Sequence, residues 1–264
     1  MVGAIFRKTL FDARKGILGW GIALALLAAY VILLYPYLTA LEGYREILEN
    51  LPPILQGFLG DVKDIFTPEG YLSAYLFNYA PLILAAYGIL AGASAVAGEE
   101  KRGTIDLLMS TPVPRWRVIL EKFAAFLVCL LGVLAFLFAG VAVSLAITPS
   151  LTVSVGRVLE ATLNTVPITL TFSALAFLFS AALPGRISAG MAAAAALVAF
   201  YMLSLLAPLS DALASVQGFN PFHYYGLQTM IDGVDWGKTA VLLAATAVLI
   251  VLAVLGFERR DLAV

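Results

Sequence analysis

Charge, cysteine and histidine are all scarce in this chain, and each scarcity excludes something. Asp, Glu, Lys and Arg make up only 12% of its 264 residues, about half the share of an ordinary soluble domain. A water-soluble fold has too few charges here to cover its surface. The 16 basic and 17 acidic residues nearly cancel, which removes the basic field that nucleic-acid binding requires. A single cysteine, Cys129, and a single histidine, His223, rule out an intramolecular disulfide framework and any multi-cysteine metal site.

What is abundant is apolar sequence, 62% of the chain. A bilayer core about 30 Å thick takes roughly 20 residues of helix, and a charge at its centre costs about 3 kcal/mol. Six gaps free of Asp, Glu, Lys and Arg, 19 to 34 residues long, meet that length. They predict spans at 17–35, 72–97, 123–147, 161–183, 187–207 and 239–256. A seventh gap, 212–231, is rejected because its Gly, Pro, Asn and Gln residues break a helix and leave amides unsatisfied in lipid.

An even number of spans puts both termini on one side. With the N-terminus in the cytoplasm, twelve Lys and Arg fall inside, and four, Arg45, Lys63, Arg157 and Lys238, fall outside. That bias sets the orientation. The expectation is one all-α polytopic domain over 1–264 in a cell membrane, the inner membrane of a prokaryote, with both termini cytoplasmic. Ahead of the first span, Val2, Ile5, Phe6 and Leu10 recur at near-helical spacing beside Arg7, Lys8, Arg14 and Lys15. This is the pattern of an interfacial N-terminal helix on the membrane surface. The apolar run 17–35 exceeds a signal-peptide core, so a retained anchor is expected. The external segment 36–71 carries six acidic residues without metal-ligand spacing and reads as a solvated, partly helical cap.

The densest charge lies on the cytoplasmic side, at 98–123. Thr104 is placed to cap a helix whose Ile105, Leu108 and Met109 share one face, and Pro112 ends it. Two turns of helix are unstable alone. This element must dock, either on its own membrane helices or on a cytoplasmic partner.

The run Glu99-Glu100-Lys101-Arg102-Gly103-Thr104, followed by Leu107-Leu108, Thr111-Pro112-Val113, Arg115 and Lys122, resembles the loop after the second helix of ABC-2 type permeases, the membrane subunits of one class of ABC exporters. Asn220-Pro221-Phe222-His223-Tyr224 and the Arg259-Arg260-Asp261 end extend the resemblance over most of the chain. It implies that the 104–112 helix is a coupling helix seated in a groove of an ABC-type ATPase subunit. On that footing Glu99 and Glu100 touch the ATPase, as do Pro112 and Arg115, while Gly103 and Thr104 make the turn. Ile105, Leu108 and Met109 are then the seated face. The resemblance also implies a second permease subunit, identical or different, and ATP and Mg on the partner ATPase with no cofactor on this chain. The implied function is ATP-driven export of a hydrophobic or amphipathic substrate such as a drug, an antibiotic or a lipid.

Other readings of the residues are weaker. Gly233–Thr239, GVDWGKT, has three residues between its glycines where a phosphate-binding loop has four. Ser94 and His223 belong to opposite ends of the bundle and make no protease pair. An ion-coupled secondary transporter usually keeps Asp, Glu or His within its spans, and these spans hold none. A non-transporting assembly or receptor subunit has no need of a coupling segment. Within the spans, Asn78 and Pro81 in the second, and Asn164, Pro167 and Thr169 in the fourth, are substrate-path candidates. Two roles stand open for them, lining a cavity or hydrogen-bonding neighbouring helices. Gly88 and Gly92 form a GxxxG that serves either packing within one subunit or a dimer contact.

Overall fold

The structure, a computed structural model, describes residues 3–41, 43, 46, 48, 50–52, 64–101, 114–183, 185–226 and 229–259. An apolar segment in lipid satisfies its backbone by coiling into a helix, and the charge-free gaps do so. They form α1 (Ala4–Thr39), α2 (Pro68–Ala93), a short α3 (Ala97–Lys101), α4 (Arg115–Ile147), α5 (Val155–Ala182) and α6 (Arg186–Leu206). The polar, proline-broken gap makes only α7 (Asp211–Ser215), α8 (Pro221–Tyr224) and α9 (Thr229–Asp232), before α10 (Trp236–Arg259) closes the chain. Among the described residues, six helices are long and apolar enough to cross a membrane. Among the described residues there is no strand, and the protein is an all-α polytopic membrane protein.

One expectation is corrected. The N-terminal amphipathic segment is not a separate interfacial helix, because α1 runs unbroken through 36 residues from Ala4, about 54 Å at 1.5 Å per residue. Gly16 sits at the expected junction, and a glycine costs a helix only about 1 kcal/mol. Tertiary packing also favours continuity. Helix α4 begins eight residues before its apolar window, at Arg115, and the two extensions lie together. Their contact continues along the spans, where a Cβ on Gly140 would meet Ala25 Cα at 2.7 Å and one on Gly21 would meet the Phe136 ring at 2.7 Å.

Helices α2 and α5 form the centre of the bundle, the most buried of the six. The GxxxG of α2 joins them: a Cβ on Gly92 would stand 2.7 Å from both Ser173 O and Ala176 Cβ, and one on Gly88 3.1 Å from Ser173 Cβ. That pair therefore packs inside this chain. At the periphery, α6 turns Ile187, Met191 and Val198 outward, and α10 turns out Val248, Val251 and Leu255, apolar faces suited to lipid.

Helix α2 is irregular for a local reason. Pro81 has no N–H to give Phe77 O, and Ser73–Phe77 wind as a π-turn. The buried Tyr225, just past α8, donates its hydroxyl to Phe77 O at 2.8 Å. The rest of the broken segment is fastened similarly. Asn220 accepts from Phe222 N at 3.1 Å as the cap of α8, and donates to Phe200 O at 3.0 Å. The loop-like GVDWGKT proves to be a helix start, with Asp235 Oδ1 accepting from Lys238 N at 3.1 Å and Gly233 at φ +87°.

Candidate functional site

Eight residues, Arg115 to Lys122, open α4 and precede its apolar window. They hold the ends of three other helices, each with the charge that suits that end. Arg115 and Lys122 are seven residues apart and share a face, while Arg117 and Glu121 are spaced by four and pair at 2.7 Å.

Glu121 caps the positive end of α1. Its carboxylate accepts from Gly3 N at 3.2 Å and from Phe6 N at 3.1 Å. Burial pushes this carboxyl up, but the Arg117 hydrogen bond and the Phe6 and Gly3 amides outweigh it and hold its pKa below the ordinary carboxylate value. Arg115 caps the negative end of α10. Its Nη1 donates to Phe257 O at 3.2 Å, and its guanidinium stands 5.7 Å over the Phe257 ring.

Lys122 holds the joint between α2 and α3. The helix stops at Ala93 and bends, which exposes carbonyls and amides that lack helical partners. Lys122 Nζ donates to Ala95 O at 2.6 Å and to Glu99 Oε1 at 2.9 Å. Ser180 of α5 accepts from Val96 N and Ala97 N, both at 3.1 Å, and donates to Ala93 O at 3.1 Å. The Lys122 and Glu99 side chains are only 9% and 12% exposed. Charges so far from water persist only when paired and hydrogen-bonded.

Beside this block a cavity of about 370 Å³ opens between α1, α2 and α4, within the size range of small-molecule sites. Asp12, Glu99 and Lys122 line its charged end. Its inner wall is aromatic: Trp20 and Tyr87 lie 5.6 Å apart between ring centroids, as do Tyr87 and Phe126. Among the described residues no three His, Cys, Asp or Glu gather where a metal ion could be held.

The residues singled out from the sequence fall in different places. Glu99 is in the buried ion pair and Arg115 on the end of α10, while Glu100 belongs to α3. Gly103, Thr104, Ile105, Leu108, Met109 and Pro112 lie outside the described residues. Asn78 and Pro81 are buried just past the π-turn. Asn164 donates to Thr229 Oγ1 at 2.7 Å, Pro167 O accepts from Thr171 Oγ1 at 2.9 Å, and the fully buried Thr169 donates to Thr165 O at 2.7 Å. None of these five lines the cavity. Sequence reasoning had passed over Glu121, Ser180 and Asp12. The Arg117–Glu121 spacing was a usable signal, whereas a serine within an apolar helix carries none.

These helices have a recognisable relative. No curated protein matches the chain. A family model described as "Multidrug efflux system permease Rv1217c, C-terminal domain" matches residues 10–258. The matched stretch takes in the charged block, all of the cavity lining but Thr9, and nearly all of the six long helices. The chain thus belongs to the family of the C-terminal domain of the multidrug efflux system permease Rv1217c.

Proposed function

We propose that this chain is the permease subunit of an ATP-driven exporter of the ABC-2 type, moving a hydrophobic or amphipathic substrate out of the cell. The observation that carries the reading is the family match over 10–258. On this reading a partner subunit hydrolyses ATP, and the segment 100–115 is the surface for it, Glu99 being committed to Lys122 inside the bundle. ATP and Mg belong to that ATPase, and a second permease unit completes the path.

The charged block supports this reading mechanically. The proposed docking segment is followed in sequence by α4, and within two turns of Arg115 α4 grips the ends of α1, α2 and α10. A push delivered at the start of α4 therefore reaches three helices through short, charge-assisted bonds.

The test is native mass spectrometry of the complex purified through a tag on this chain, co-expressed with its chromosomal neighbours. Two permease copies with two ATPase subunits are expected, and Glu100→Ala or Leu108→Asp should release the ATPase while the permease still inserts. A complex without ATPase despite good expression of both genes would overturn the proposal.

A further inference from the structure

We infer that the cavity between α1, α2 and α4 binds an organic cation with an aromatic or otherwise apolar body. This deepens the export reading by naming a substrate class, and it rests on that reading for the direction of transport. The cavity lies at the end of the bundle that the Lys and Arg bias assigns to the cytoplasm, the side from which an exporter loads.

Three observations converge. The volume of about 370 Å³ suits a drug-sized molecule. The inner wall presents the linked rings of Trp20, Tyr87 and Phe126, which accept apolar bodies and attract a cation over their faces. Among the described residues, the charged end holds two carboxylates against one ammonium. Lys122 is engaged with Glu99 and Ala95 O, which leaves the exposed Asp12 as the carboxylate turned to an incoming ligand. Lys8 and Lys15 flank Asp12 by about one turn of α1, yet neither lines the cavity nor forms an ion pair with it. Asp12 and Trp20 are eight residues apart on one helix, about 12 Å. That separation accommodates a bulky cation whose rings reach the aromatic wall while its charge stays within the field of Asp12.

The experiment uses the full chain in lipid nanodiscs, with empty discs subtracted. Tetraphenylphosphonium and tetraphenylborate have near-identical shapes and opposite charges, and the binding of each is measured by equilibrium dialysis. The cation should bind saturably and about fivefold or more tighter than the anion. Asp12→Asn should weaken the cation about threefold to fivefold, the range of an exposed ion pair, and strengthen the anion rather than weaken it. Ala91→Phe, which fills the cavity from α2, should abolish both. Equal binding of the two ions, or cation binding indifferent to both variants, overturns the inference. A chain that recruits its ATPase but shows no cation preference leaves the export reading standing and removes this one.

Discussion

Replacing Lys122 by methionine keeps an unbranched, apolar stem and deletes only the ammonium. That takes the partner at 2.9 Å from Glu99 and the donor at 2.6 Å from Ala95 O. An exposed ion pair contributes less than about 1 kcal/mol, whereas breaking a buried one costs about 3 to 5 kcal/mol. With side chains 9% and 12% exposed, this pair belongs at the lower edge of the buried range, about 3 kcal/mol. Glu99→Gln keeps an acceptor for Lys122 and should cost about 2 kcal/mol. The double variant has no isolated charge at the joint, so it should cost less than the two singles together by about 1.5 kcal/mol or more. Reversible unfolding in mixed detergent micelles, titrated with dodecyl sulfate, measures all four members of the cycle. Additivity within about 0.5 kcal/mol would refute the claim that these charges act as a unit.

Three further outcomes are expected. Glu121 has a depressed pKa, so the stability it adds is present above the ordinary carboxylate value of 4.5 and is lost as pH falls through its lower folded value. The gap between wild type and Glu121→Gln, about 1 kcal/mol near neutrality, should close on acidification below that value, as followed by unfolding titrations across pH. Ser180→Ala removes an acceptor shared by two amides and a donor to Ala93 O, and should lower stability by about 2 kcal/mol while raising hydrogen exchange at Val96 and Ala97. Gly92→Val drives a side chain against Ser173 O, which is backbone and cannot rotate away. A loss of about 3 kcal/mol and poor recovery of folded protein are expected by size-exclusion chromatography, against little change for Gly16→Ala, which meets open space.

The spans were legible because lipid leaves an apolar run one backbone solution. Their ends were not, since a helix that has left the apolar layer continues or stops according to its neighbours. Helix α1 reaches back to Ala4 because Glu121, more than a hundred residues away in sequence, accepts its first amides. Arg115 shows the same limit. It read as part of a docking loop, and its partner carbonyl proved to be 142 residues distant. Proline was more informative: Pro81 announced a carbonyl in need of a donor, though nothing in the sequence pointed to Tyr225 as its source. For Asn164 and Thr169, composition gave two roles of equal standing, and their bonding partners lie within the helix packing of this chain.

The π-turn at Ser73–Phe77 also determines how α2 is aimed. A helix rotates by about 100° per residue, and a π-turn carries one residue more than an α-turn. Above it, Tyr71 faces α1 and donates to Val31 O at 2.8 Å; below it, Gly88 and Gly92 face α5. The extra residue thus acts as an angular spacer, phasing two stretches of one helix to different neighbours. Deleting a single residue there would leave α2 long enough to cross the bilayer, yet swing its glycines more than a quarter turn away from Ser173.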